Sequence, residues 1–127
     1  QGLLSGKYSA DQIPADSRAA NEQTSAWFPQ KRLTEANFKK IEELKKIALS
    51  LGITLPQMAL AWVLRKNPVT SAIIGASRTS QITENVKAVG ISLADETLNA
   101  IEAVLENHPT DQYTGERIGH GIIKRGY

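Results

Sequence analysis

The chain contains no cysteine, and this absence excludes several kinds of chemistry from it. A disulfide framework, a catalytic thiolate and a thiolate-ligated metal all require that residue. No apolar run approaches the roughly 18–20 residues of a membrane-spanning helix, so we expect no membrane insertion. Lys and Arg are spread along the chain and leave a net charge of only +2, which does not favour nucleic-acid binding. These absences predict a cytoplasmic protein.

The residues that are present are typical of a globular α/β protein, with 41% hydrophobic and 22% charged. The most informative stretch is 70–85, where a short apolar run meets Gly75 and a polar run follows. This pattern predicts a buried strand at about 70–74, a turn and then a helix. Hydroxyl residues available to cap that helix are Ser77, Thr79 and Ser80.

A strand that turns into a helix presents unpaired backbone N–H groups and the positive end of the helix dipole, which together favour an anion. Arg78 adds a full positive charge at this turn. Gln81, Glu84 and Asn85 follow at a spacing that puts them on one helix face, where they would meet the sugar and base of a nucleotide. The residues therefore predict a nucleotide phosphate site, and a solvated helix face is the alternative.

Motifs occur in a fixed order along the chain. They are Gln-Gly-Leu-Leu-Ser-Gly-Lys-Tyr at 1–8, Leu-Pro-Gln-Met-Ala-Leu-Ala-Trp-Val-Leu at 55–64 and Gly-Ala-Ser-Arg-Thr-Ser-Gln-Ile-Thr-Glu-Asn at 75–85. Together they resemble the C-terminal half of the aldo-keto reductase family, in the branch of the bacterial L-glyceraldehyde 3-phosphate reductases and the potassium-channel β subunits. The resemblance implies a (β/α)8 TIM barrel that binds NADPH and reduces aldehydes or ketones to alcohols.

A TIM barrel typically takes about 250 residues, so we expect this chain to be the C-terminal portion of such a barrel, mostly helical with one recognisable strand. The resemblance covers residues 1–109. Within it we expect a cofactor-covering loop at 1–33, helices at 34–66, the strand, phosphate turn and helix at 70–88, and an extra helix at 92–106. Residues 110–127 are expected to form a C-terminal tail.

Capping signals predict where the helices begin. They are Thr34 alone, Thr54 with Gln57, and Ser92 with Asp95. Gly52 is expected to end the first helix near Leu51. The second helix, at about 55–66, is apolar nearly all round, so we expect it to be buried on most sides, with Met58 and Trp62 in the core.

The resemblance also implies cofactor-binding roles for residues of the loop. Gly2 and Leu3 would present their backbone to the pyrophosphate of NADPH. Lys7 would pair with the region of the 2′-phosphate, and Arg18 would help to clamp the adenosine end. Without the family, each of these cations would equally be an exposed solubilising charge.

The remaining residues with an implied cofactor role lie at the turn and its helix: Gly75, Ser77, Arg78, Gln81, Glu84 and Asn85. Ser77 and Arg78 would give the hydroxyl and cationic donors that a 2′-phosphate favours. Gln81 would support the 2′-phosphate or ribose. Glu84 and Asn85 would accept from and donate to the edge of the adenine.

Carbonyl reduction also needs a proton donor beside the carbonyl oxygen. The family uses a Tyr, Lys, Asp and His tetrad, and no position of this chain matches its motifs. His108 and His120 have neither the spacing of a helical metal pair nor that of a triad, so we expect no metal site. We therefore expect no catalytic residue in this chain, inactivity when it is alone, and a tetrad in the missing N-terminal half of the barrel.

Alternatives remain open for the whole protein. One is an NADPH-dependent reductase of a small carbonyl substrate. Another is an NADPH-binding regulatory protein with little turnover, like the channel β subunits, for which a homo-oligomer is an option. A stand-alone helical module fits less well, because a single barrel strand would leave its edges unpaired.

Overall fold

The computed structural model describes residues 2–9, 12–15, 17, 19–21, 32–66 and 69–106. Within these ranges the chain forms α1 (Glu35–Ser50), α2 (Leu55–Leu64), α3 (Thr79–Val86) and α4 (Asp95–Leu105). Short 3₁₀ helices lie at Leu3–Ser5 and Lys87–Gly90. No single helix in the described ranges has the length and hydropathy to cross a membrane, although α1 and α2 together, across an 88° bend, meet the length and composition of a broken span.

The limits of α1 confirm the sequence prediction. The Thr34 side chain accepts from the backbone N–H of Asn37 at 3.2 Å, which caps the start of the helix. After the last turn Gly52 adopts a left-handed φ of 68°, and Ile53 N–H donates back to Ala48 C=O at 3.1 Å. This is a Schellman ending, which favours glycine because a side chain would strain the left-handed residue.

The capping box of α2 is also confirmed. Thr54 N–H donates to Gln57 Oε1 at 3.0 Å, and Gln57 N–H donates to Thr54 Oγ1 at 3.4 Å. Pro56 fits in the first turn because the first backbone N–H groups of a helix have no intrahelical partner. The helix ends at Leu64, slightly before the predicted Lys66.

The capping box predicted for Ser92 with Asp95 is wrong. Asp95 is the first residue of α4, and the N-cap residue is Ala94, which has no side-chain acceptor. The chain is still extended at Ala94 (φ −64°, ψ 155°), and Leu93 packs against the core, so the helix begins later than the local pattern suggests. Asp95 still favours the helix start, because its charge lies near the positive end of the dipole.

The barrel strand predicted at about 70–74 is not confirmed. Residues 69–76 lie between α2 and α3 outside any helix, and they pair with no strand in the described part of the chain. A strand needs a neighbour for its backbone N–H and C=O groups. The segment is also not buried as predicted, since Ile73 is 101% exposed and Ile74 is 41% exposed.

The hydrophobic core lies where α1, α2 and α4 meet. Its buried members are Ile41, Leu44, Ala48, Leu55, Met58 and Ile101. The core position predicted for Met58 is confirmed, while Trp62 is half-buried and packs against this cluster. One side of α2 remains open, because Val63 is exposed.

A polar contact joins α2 to α4 beside the core. Trp62 Nε1 donates to Glu102 Oε1 at 3.0 Å, and Arg65 Nη2 lies 3.2 Å from the same oxygen. The Arg65 guanidinium also lies 3.7 Å from the centroid of the Trp62 ring, a cation–π contact. One carboxylate oxygen thereby holds Trp62 of α2 and Arg65, the residue that follows this helix, against α4.

Candidate functional site

At the turn before α3, three hydrogen-bond donors converge on one acceptor atom. The N-cap residue is Arg78, with extended angles (φ −141°, ψ 144°), and not Ser77, Thr79 or Ser80 as predicted. An arginine side chain has only donors, so it cannot cap the helix with an acceptor. Gln81 in the first turn provides one instead, and its Oε1 accepts from Ser77 N–H at 2.8 Å, Arg78 N–H at 3.2 Å and Ser77 Oγ at 3.3 Å.

These contacts describe the ligand chemistry that the turn offers. Two backbone N–H groups and one hydroxyl converge on a single acceptor at the positive end of α3, beside the arginine. In the structure that acceptor is the amide oxygen of Gln81. A phosphate oxygen would be a stronger acceptor for the same donors, because hydrogen bonds to an ionised group are stronger.

Glu84 and Asn85 lie on α3 with Gln81, at the spacing that places the three on one face. Glu84 has partners for both carboxylate oxygens: Lys87 Nζ lies 2.6 Å from Oε1, and Gln57 Nε2 donates to Oε2 at 3.1 Å. The carboxylate is therefore held in place, although the Glu84 side chain is 49% exposed. Asn85 is half-buried. Gly75 lies in the exposed segment before the turn.

Among the predicted loop residues that the structure describes, Gly2, Leu3 and Lys7 contribute none of the three hydrogen bonds to Gln81 Oε1. Gly2 has a left-handed φ of 88° and precedes the 3₁₀ turn that contains Leu3. Lys7 Nζ lies 5.3 Å from the ring centroid of Tyr8, which is buried. Arg18 lies outside the described residues. Both the 3₁₀ turn at Leu3–Ser5 and α3 pack against α2, so the two groups share that helix as a support.

Gln57 is the site residue that the sequence analysis missed. It was recognised only as the partner of Thr54 in the capping box. Its Nε2 also donates to Glu84, to the backbone oxygen and to Oε2, both at 3.1 Å. A glutamine in a helix that is otherwise apolar was the available signal, because a buried amide needs partners for both its donors and its acceptor.

A cavity of about 510 Å³ lies elsewhere, between the end of α2 and the start of α4. Its lining includes the charged Arg65 and Lys66 and the apolar Leu93 and Leu98. None of the predicted cofactor residues lines it. Within the part of the chain that the structure describes, no three His, Cys, Asp or Glu side chains form a potential metal site.

The model of the Aldo/keto reductase family matches residues 1–106. The chain belongs to this family. The match includes both the loop and the α3 turn, so every predicted site residue lies within aldo/keto reductase sequence. Membership implies a TIM barrel, and the described part of the chain is mainly helical, as predicted.

Relatives with curated names fall in the branch that the motifs predicted. A probable voltage-gated potassium channel subunit beta from Oryza sativa subsp. japonica is 40% identical over 116 residues, 88% of this chain and 35% of the relative. Its counterpart from Arabidopsis thaliana is 42% identical over 110 residues, 85% of this chain and 33% of the relative. L-glyceraldehyde 3-phosphate reductase of Escherichia coli (strain K12) is 46% identical over 90 residues, 70% of this chain and 26% of the relative. The chain thus spans about a third or less of the length of these aldo/keto reductase relatives.

Proposed function

We propose that this chain is the cofactor-binding C-terminal part of an NADPH-dependent oxidoreductase that reduces aldehydes or ketones. The observation that carries the proposal is the convergence of the Ser77 and Arg78 donors at 2.8–3.3 Å on one acceptor position at the start of α3. Such a donor set suits the 2′-phosphate that distinguishes NADPH from NADH. The guanidinium of Arg78 adds the matching positive charge.

In this proposal Gln81 is the group that makes way for the phosphate. Its Oε1 holds the shared donors in the free protein, and a phosphate oxygen would replace it there. Once released, the amide would turn its Nε2 donor towards the phosphate or ribose. Glu84 and Asn85, further along the same face, would accept from and donate to the adenine. Gly2 and Leu3 would face the pyrophosphate, while Lys7 and Arg18 would add positive charge near the adenosine.

The reaction itself would require parts of the barrel beyond this chain. The bound nicotinamide would supply the hydride, and a tetrad in the N-terminal half would supply the proton to a small carbonyl substrate. We propose that the exposed segment at 69–76 pairs with strands of that half, because the exposed Ile73 and Ile74 side chains and the backbone would then be covered. The protein would work in the cytoplasm.

A second candidate function is an NADPH-binding regulatory protein with little turnover. It is favoured by the similarity to the plant channel subunits, which extends over 85–88% of this chain. The same cofactor site would serve both functions. Tight NADPH binding, slow turnover of aldehydes and a stable homo-oligomer would favour the regulatory protein, whereas fast turnover would favour the reductase.

The test is a titration of the full-length protein and its Arg78→Ala variant with NADPH and NADH, followed by fluorescence. Loss of a charge-assisted contact to the 2′-phosphate should weaken NADPH binding roughly 10- to 100-fold, with little change for NADH. Lys46→Ala is the matched control, because it removes the same charge from an exposed side chain of α1 that pairs with Glu43. Equal losses for both cofactors in Arg78→Ala would contradict the proposed role of the turn.

A further inference from the structure

Gln57 connects the start of α2 to the last turn of α3. The residue is only 6% exposed, and both the oxygen and the nitrogen of its side-chain amide form hydrogen bonds. Oε1 accepts from Thr54 N–H at 3.0 Å, which belongs to the capping box of α2. Nε2 donates at 3.1 Å to the backbone oxygen and to the Oε2 of Glu84, which lies on another helix. The oxygen of the Gln57 amide therefore belongs to the cap of α2, and its nitrogen binds Glu84 on α3.

The second contact constrains how Glu84 can present its carboxylate. Oε2 is bonded to Gln57, and Oε1 lies 2.6 Å from Lys87 Nζ. The Lys87 side chain is 58% exposed and lies three residues after Glu84, directly beyond the end of α3, so that pair contributes little order of its own. The buried amide of Gln57 is the rigid partner, since it is itself fixed by Thr54.

We propose that Gln57 is a positioning residue that orients the Glu84 carboxylate for recognition of the adenine amino group. The inference rests on the proposed function, in which Glu84 accepts a hydrogen bond from adenine. A carboxylate held by a buried amide keeps one orientation, whereas a free side chain would lose rotamer entropy on binding. Gln57 thus sets the base selectivity of the cofactor site without touching the cofactor.

The test compares reduced NADP with its hypoxanthine analogue, in which an oxygen replaces the adenine amino group. The full-length protein should bind the adenine form at least about tenfold more tightly, because the analogue presents an acceptor oxygen to Glu84 where adenine presents its donor amino group. Gln57→Glu keeps the size of the side chain and an acceptor for Thr54 N–H, and a glutamate at this capping-box position also suits the helix start. It replaces the donor to Glu84 by a carboxylate at the same place, so we expect the preference to fall to within about twofold.

Thr54→Ala is the matched structural control. It removes the Oγ1 acceptor for Gln57 N–H but leaves the contact between Gln57 Nε2 and Glu84 intact. We expect a lower melting temperature with an unchanged adenine preference. Gln57→Met, which fills a similar volume but lacks both polar ends, provides a second variant should Gln57→Glu fold poorly, and it should also lose the preference.

The outcomes separate the two proposals. If the unaltered protein binds no NADPH, both are overturned. If it binds NADPH with a clear adenine preference and the folded Gln57 variants keep that preference, the positioning role alone is overturned. The same holds if Thr54→Ala loses the preference as fully as Gln57→Glu, because the effect would then follow the stability of α2.

Discussion

Replacing Gln81 by Glu tests whether the donors of the α3 turn are shared between the protein and a phosphate. Gln81 Oε1 accepts from Ser77 N–H at 2.8 Å and from Arg78 N–H at 3.2 Å. A carboxylate oxygen would keep these contacts as charge-assisted bonds, worth roughly 1.5–3 kcal/mol each where neutral ones are worth about 0.5–1.5. The new charge would also lie in the first turn of α3, where the helix dipole favours an anion by about 0.3–1 kcal/mol. We therefore expect Gln81→Glu to stabilise the cofactor-free protein.

The same substitution should weaken the binding of NADPH. A bound 2′-phosphate would compete with the carboxylate for the same donors and remain close to its charge. Two unit charges about 4 Å apart repel by roughly 1–4 kcal/mol between the limits of water and a protein surface. The turn is exposed, so we take about 1–2 kcal/mol, which corresponds to a 5- to 30-fold loss of affinity. NADH lacks the 2′-phosphate, so the affinity for NADH should fall much less.

The assay is calorimetric titration of the full-length protein with both cofactors at two ionic strengths, beside thermal unfolding without cofactor. Asn99→Glu, on the exposed surface of α4, adds the same charge away from the turn and should change neither affinity nor selectivity. A higher melting temperature together with a salt-dependent, NADPH-specific loss is the expected result for Gln81→Glu. The reasoning fails if the affinity for NADPH is unchanged, or if the affinity for NADH falls as much as that for NADPH.

Two further predictions concern stability. Glu102→Ala removes the oxygen that Trp62 Nε1 and Arg65 share, and denaturant unfolding of the full-length protein should show a free energy of unfolding lower by about 1–2 kcal/mol. The control, Glu43→Ala, breaks an exposed pair on α1 and should lower it by less than about 0.5 kcal/mol. Equal losses in the two variants would contradict the role of the Glu102 contact. The 127 residues expressed alone should bind hydrophobic dyes and self-associate, because apolar side chains such as Ile73 (101% exposed) and Val89 (77% exposed) are uncovered. A cooperative unfolding transition of a monomer would contradict that expectation.

Sequence patterns predicted those features of the fold that depend on neighbouring residues. Thr34 and the Thr54–Gln57 box cap their helices as expected, because each cap is a contact between residues three apart. The same pattern at Ser92 was misleading, since the packing of Leu93 keeps the chain extended up to Ala94. The strand at about 70–74 depends on a distant partner, and periodicity alone carries no information about which partner is present.

The candidate site divides in the same way between local and distant contacts. The turn and the helix after it were predicted from sequence, although the cap was assigned to Ser77, Thr79 or Ser80 and the contacts of Gln81 were not foreseen. Its role as a phosphate site stays a prediction. The contact between Gln57 and Glu84 spans 27 positions and required the fold. Capping residues recognised from sequence are therefore worth examining for their other polar atoms.

The two ends of the Gln57 amide show why that distinction matters for interpreting variants. Oε1 stabilises the start of α2, and Nε2 orients a residue of the proposed cofactor site on α3. A substitution that removes the whole Gln57 side chain should lower stability and weaken base recognition together. A loss of adenine selectivity in such a variant could not be distinguished from misfolding. Gln57→Glu keeps the acceptor but places a buried carboxylate beside that of Glu84, so it should lower both stability and base selectivity. Thr54→Ala should lower stability alone. Loss of base selectivity in the Gln57 variants but not in Thr54→Ala would establish that one buried amide links the start of α2 to the chemistry of the α3 face.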